Sequence, residues 1–161
     1  LCAAAQDAAQ KLGFQCRMLT DCLDCEAREA GRFLASIARS HQQTERPLAF
    51  FAGGETVVHL TGQGLGGRNQ ELALAAAPGL RGTQNTAVCS FGSDGTDGPT
   101  DAAGGFVDQS SDAALRAAGL DVPQVLAEND AYHALQKIGG LLMTGPTGTN
   151  VNDLAMVLIW R

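Results

Sequence analysis

Lysine is almost missing from this chain: Lys11 and Lys137 are the only two in 161 residues. Neither follows a glycine, so the phosphate-binding lysine of a Walker A loop is absent and a P-loop is excluded. Basic residues number 11 against 17 acidic ones, a formal charge of -6, and they form no run. Without a basic stretch to neutralise successive phosphates, the composition argues against nucleic-acid binding. Apolar runs all fall well short of the roughly 20 residues that span a bilayer, and no charged segment precedes one as in a signal peptide. The expectation is a cytoplasmic protein with no membrane partner.

Proline is sparse and glycine abundant, 5 against 20, with 45% apolar residues in clear periodicity. That composition is globular and supplies one well-buried core but hardly two. Five cysteines are an odd number, which fits free thiols in a reducing compartment better than a disulfide framework. Cys22 and Cys25 form a CxxC, yet a zinc site needs four ligands, and His41, His59 and His133 are scattered singly. The pair reads as two thiols near a helix start.

The periodicity predicts an alternating α/β order. Leu1 to Leu12 reads as an alanine-rich helix stopped by Gly13, Phe14 to Leu19 as a strand, and Asp24 to His41 as an amphipathic helix. Leu48 to Ala52 and Thr56 to Leu60 are separated by three residues, a spacing that predicts an antiparallel hairpin and therefore a mixed sheet. Arg68 to Ala77 reads as a helix ended at Pro78, Thr86 to Phe91 as a strand, and Ser111 to Ala118 and Asn129 to Ile138 as helices. Gly140 to Met143 and the apolar run Leu154 to Trp160 complete the pattern, the last as a buried central strand. The expected fold is α/β, with a mixed, partly antiparallel sheet of about six strands flanked by helices in Rossmann-like layers.

Three polar, glycine-rich loops interrupt this order: GQGLGGRNQE from Gly62, SDGTDGPTDAAGG from Ser93 and TGPTGTNVND from Thr144. Each adjoins a strand, so all three are expected along one edge of the sheet, where open α/β proteins bind ligands. Gly62, Gly64 and Gly67 satisfy GxGxxG ahead of a helix, but Thr83, Gln84 and Asn85 stand where a dinucleotide site needs a ribose-binding acid. What survives is an anion site at Gly64, Gly66 and Gly67, with Arg68 as a bidentate cation at the helix start; the alternative is a glycine-rich turn with a surface arginine. Asp94, Asp97 and Asp101 do not match calcium-loop spacing, whereas one or two carboxylates suffice for magnesium. Asp94 and Asp97 can therefore hold magnesium or orient an attacking hydroxyl; otherwise they cap turn amides. Thr147, Thr149 and Asn150 can bind phosphate or polyol oxygens, or satisfy a tight turn before the last strand.

Together GGET at Gly53, GGRNQELAL at Gly66, DGTDGPTDAAGG at Asp94, ND at Asn129 and TGPTGTNVND at Thr144 resemble the MOFRL domain, the C-terminal domain of the class II glycerate kinases. The resemblance covers nearly the whole chain, residues 1–161. It implies ATP- and magnesium-dependent phosphorylation of D-glycerate to 2-phosphoglycerate in a cleft between two α/β domains. The N-terminal kinase domain with its catalytic lysine would then be a missing partner, and a homodimer is compatible. Carried over by motif, Arg68, Asp94 and Asp97 would be catalytic, with Asn69 and Glu71 joining the glycine loop in substrate or phosphate binding. Cys25 stands where glycine is usual in GEARE, and Ala131 where serine is usual after ND. Relatives are also labelled hydroxypyruvate reductases, so hydride transfer is a second reading and a noncatalytic small-anion module a third.

Overall fold

The computed structural model describes residues 1–161. Helix α1 (Cys2–Lys11) leads into β1 (Gln15–Leu23), α2 (Ala27–Ser40) and β2 (Leu48–Gly54). Then come α3 (Arg68–Ala76), which continues as a 3-10 turn over Ala77–Leu80, and the strands β3 (Thr86–Gly92) and β4 (Gly104–Asp108). Helices α4 (Ser111–Ala117), α5 (Val122–Ala127) and α6 (Ala131–Lys137), a short β5 (Leu141–Leu142) and β6 (Asp153–Ile159) finish the chain. The six strands form one sheet in the order β1-β2-β6-β3-β4-β5.

Only β1 and β2 pair in parallel, joined by the α2 crossover; every other neighbouring pair is antiparallel. The mixed sheet is therefore as expected, but for a different reason. No hairpin follows β2. Its two edges are already taken by β1 and β6, so Thr56 to Leu60 has no strand to join. Instead Gly54 adopts a φ of +147°, and the Glu55 and Val57 amides donate to Leu23 O and Cys25 O, laying this segment along the β1–α2 connection.

The second correction is β4, whose Gly104 and Gly105 look like loop residues in the sequence. They are glycines because of packing: a Cβ on Gly104 would meet Ser90 O at 2.0 Å, and one on Gly105 would meet Leu135 Cδ1 at 2.6 Å. Helix α5 is also additional, with Asp121 accepting from Gln124 N and Pro123 in its first turn, where proline costs no hydrogen bond.

The main core lies between the sheet and α2, α3 and α5–α6, around Leu34, Phe50, Leu72, Val88, Val107 and Val157. On the opposite face α1 covers Ala49, Phe51 and Leu154. Strand β6 is central, as its apolar run predicts, and α3 is buried from Asn69 to Ala76. A helix buried all round normally carries only apolar residues, so the buried Asn69, Gln70 and Glu71 each require an internal partner.

Candidate functional site

The register brings one end of three central strands together: Gly54 of β2 and Gly92 of β3 both pair with Asp153, the first residue of β6. The loop after β3 and the loop before β6 therefore leave from the same rim. They interlock. Thr147 N donates to Asp94 O at 3.1 Å, the Thr147 hydroxyl donates to Ser93 O, and a Cβ on Gly95 would meet Gly145 O at 2.0 Å. The glycine loop closes against the same turn, since a Cβ on Gly98 would meet Gly66 O at 2.6 Å. All three loops converge, as their sequence positions predict.

Asp97 does not face solvent. Its buried carboxylate accepts from the backbone amides of Asn69 (3.1 Å) and Gln70 (2.8 Å) and from both of their side-chain amides. It thus satisfies amides that the first turn of α3 leaves without partners. Burial pushes its pKa above the ordinary carboxylate value, and the four N–H donors oppose that shift. With its oxygens engaged in this way, Asp97 holds the acidic turn to α3, and this geometry corrects its expected place as a cleft-facing ligand.

Asn69 and Glu71 are likewise turned inward. Asn69 is buried, accepting from the Ser90 hydroxyl and donating to Asp97. Glu71 accepts from Arg28 Nε at 2.9 Å and from Asn129 Nδ2 at 3.2 Å. Such a buried pair is costly to break, so Glu71 anchors the start of α3 to α2 and to Asn129, while also lining the cavity beside the glycine loop. Asn129 also accepts from Thr61 N and Gly62 N and donates to His59 O, fastening the start of the glycine loop.

The glycines themselves are close-approach residues. A Cβ on Gly62 would meet Glu128 Cα at 2.3 Å, one on Gly64 would meet Asp130 Cβ at 2.5 Å, and one on Gly67 would meet Asp97 Cγ at 2.3 Å. GxGxxG is here a pattern of loop packing against the α5–α6 connection and the acidic turn. Three consecutive amides, of Gly66, Gly67 and Arg68, make no hydrogen bond within the protein. They line a cavity of about 750 Å³ whose other walls include Glu55, Val57, Leu60 and Pro99.

Arg68 is the cation at this cavity. Asp153 receives its Nε at 2.5 Å and its Nη2 at 3.2 Å, a bidentate clamp, while Glu55 contacts Nη1 at 2.7 Å. The hydrogen bonding to Asp153 raises the Arg68 pKa; burial opposes it, and the charges of Asp153, Glu55 and Asp97 reinforce it. One guanidinium among three carboxylates leaves this corner net negative. The sequence offers Asp153 as the acid that ends the TGPTGTNVND loop and Glu55 as the acid directly after two glycines in GGET; that both meet the Arg68 guanidinium comes from the fold.

Asp94 is half-buried and uses only Oδ1, which accepts from Thr96 N at 3.0 Å. It flanks Gly92 together with Asp153: a Cβ there would find Asp94 Oδ1 at 3.0 Å and Asp153 Oδ1 at 3.4 Å. Thr149 and Asn150 are exposed on the loop before β6, whereas the Thr147 hydroxyl is engaged. No three His, Cys, Asp or Glu side chains gather as a metal cluster. A magnesium ion here would take one carboxylate oxygen from Asp94 and the rest from phosphate and water, a donor set magnesium accepts.

Residues 48–153 match the MOFRL family. The chain belongs to that family. It is 56% identical to the D-glycerate 2-kinase of Thermotoga maritima over 99% of its length, and 45% identical to the glycerate 2-kinase of Pyrococcus horikoshii over 98%. A protein of Agrobacterium vitis named putative hydroxypyruvate reductase is 41% identical over 97% of the chain. The fold superposes on the glycerate kinase structure from Thermotoga maritima with a TM-score of 0.93 at 57% identity, covering 98% of this chain. A second solved structure, from Pyrococcus horikoshii, gives 0.94 at 44% identity over 99%. The chain spans 39% and 37% of the length of the first two curated relatives. Within this MOFRL chain no helix is long and apolar enough to cross a membrane, and all five cysteines are free.

Proposed function

We propose that this chain is the C-terminal lobe of a cytoplasmic D-glycerate 2-kinase, which transfers a phosphoryl group from ATP to the 2-hydroxyl of D-glycerate. The observation that carries the proposal is the Arg68 fork, clamped by Asp153 and standing beside three unbonded amides at the wall of a large cavity. Guanidinium and amides together suit a carboxylate or phosphoryl oxygen. The names of the relatives, D-glycerate 2-kinase and glycerate 2-kinase, supply the substrate class.

ATP with magnesium would supply the phosphoryl group and offset its charge. This chain's own residues would position the acceptor. Arg68 grips an anionic group of glycerate or the transferring phosphate, and Asp94, with one carboxylate oxygen uncommitted, orients the hydroxyl or holds the magnesium. Asp97, Asn69 and Glu71 fix the first turn of α3, on which Arg68 stands, to the neighbouring loops. Such positioning together with charge placement is the main catalytic device in phosphoryl transfer.

The surplus of carboxylates around Arg68 means that this lobe alone does not offset a polyanionic phosphate. Further positive charge, from magnesium and from a basic side chain outside this chain, is part of the proposal. Only two lysines occur here, and neither Lys11 nor Lys137 lines the cavity.

The test is 2-phosphoglycerate formation by this chain joined to the upstream domain of its gene, with and without Arg68→Ala. A rate unchanged by that substitution would remove Arg68 from the mechanism. The name of the Agrobacterium vitis relative supports a second reading, hydroxypyruvate reduction, in which the same fork would hold the keto-acid carboxylate. NADH oxidation with hydroxypyruvate by the same protein separates the two.

A further inference from the structure

Arg68 has two carboxylate partners of different character. Asp153 begins the central strand, its side chain is 10% exposed, and it engages Nε and Nη2 together. Glu55 has a side chain that is 61% exposed, touches only Nη1, and lines the cavity. Its backbone is nevertheless fixed, because the Glu55 amide donates to Leu23 O at 2.8 Å and a Cβ on the preceding Gly54 would meet the same oxygen at 2.2 Å. The carboxylate is thus an exposed group on a fixed backbone. Arg68 and Glu55 both line the cavity, whereas Asp153 does not.

An anion entering this corner meets Asp97, Asp153 and Glu55 around a single cation. Asp97 is held by four N–H groups and Asp153 by the bidentate clamp, so only Glu55 can leave at little cost. We propose that the Glu55 carboxylate and the anionic group of the ligand compete for Nη1 of Arg68, so that ligand binding displaces Glu55 while Asp153 keeps the fork in position. Glu55 therefore marks the carboxylate or phosphoryl subsite. It also weakens the site for any anion too poor in charge to replace it. The inference rests on the assignment of Arg68 as the anion-binding group.

Titration calorimetry of the full-length protein, this chain joined to the upstream domain of its gene, with 2-phosphoglycerate tests it, using wild type, Glu55→Gln, Glu55→Ala and Arg68→Ala. Removing the competitor is expected to tighten binding about threefold to fivefold in both Glu55 variants, the scale of an exposed ion pair. Arg68→Ala is expected to abolish binding. Unchanged or weaker binding by both Glu55 variants, with binding still lost in Arg68→Ala, overturns the displacement and leaves Arg68 as the anion group. Binding by Arg68→Ala equal to wild type, or no binding by any of the four proteins, overturns the anion-site assignment and the displacement together. Glu55 is exposed and outside the core, so its variants fold.

Discussion

Gly67 lies flat against the Asp97 carboxylate, with no room between them for a methyl group: a Cβ on Gly67 would stand 2.3 Å from Asp97 Cγ and 2.4 Å from its Oδ1. This contact joins the glycine loop to the acidic turn and sets where α3, and with it Arg68, begins. Gly67→Ala is expected to destabilise the fold by about 1–3 kcal/mol, the usual cost of overpacking a rigid site. Urea unfolding measures it, and a midpoint equal to wild type would show that the turn can yield.

Asp97→Asn keeps the shape of the side chain but turns one acceptor into a donor facing the Asn69 and Gln70 amides. A loss of about 2–4 kcal/mol is expected, from a missing helix cap and a buried donor without an acceptor. Thermal unfolding detects it. A variant as stable as wild type would return Asp97 to the list of free, ligand-facing carboxylates.

Asp153→Asn removes the charge from the clamp on Arg68 while leaving the guanidinium in place. In the full-length protein, turnover should fall about a hundredfold with a smaller rise in KM, because a catalytic group displaced by about 1 Å loses that much. An effect confined to KM would show that Asp153 assists binding without orienting the fork.

The Asp108 carboxylate gives a pH signature. Burial raises its pKa, but hydrogen bonds from Ser110 and Ser111 outweigh that and hold it below the ordinary value. A depressed carboxylate stabilises the fold above its unfolded pKa, about 3.9, and that stabilisation is lost as pH falls through the folded value. Asp108→Asn should therefore cost about 0.5–1 kcal/mol at pH 6, the low end for a helix-start contact because Asp108 is half-exposed, and progressively less below about pH 4. Urea titrations at both pH values check the sign.

Thiol reactivity should divide the cysteines. Cys22 and Cys25 are exposed, whereas Cys89 is buried in β3 and burial pushes its thiol up to about 12. Exposed thiolates react and buried thiols do not. Maleimide labelling followed by peptide mass mapping should find Cys22 and Cys25 modified in the native protein and Cys89 only after unfolding; native labelling of Cys89 would contradict the packing of β3.

Much of this arrangement was legible along the chain. The apolar run Leu154 to Trp160 reads as a buried central strand, and β6 is central. The amphipathic stretch after Asp24 is α2, and the strand ends place the three polar loops on one rim. Thr56 to Leu60 misled because strand-like composition says nothing about whether an edge is free to pair, and both edges of β2 were taken. Gly104 and Gly105 misled because a glycine chosen for close packing has the same composition signal as one chosen for a turn.

The amino-acid sequence by itself determined the alternation of apolar segments, the loops between them and the family these loops mark, because periodicity and turn chemistry act over a few residues. Tertiary structure alone decided which acid does what. Asp94 and Asp97 are three positions apart in one loop, yet the first keeps an uncommitted oxygen and the second is buried against the start of α3. The role of a carboxylate depends on how many donors reach it and how much water it loses: Asp94 meets only the amide of Thr96 in its own loop, whereas the donors to Asp97 come from Asn69 and Gln70, 28 and 27 positions away along the chain.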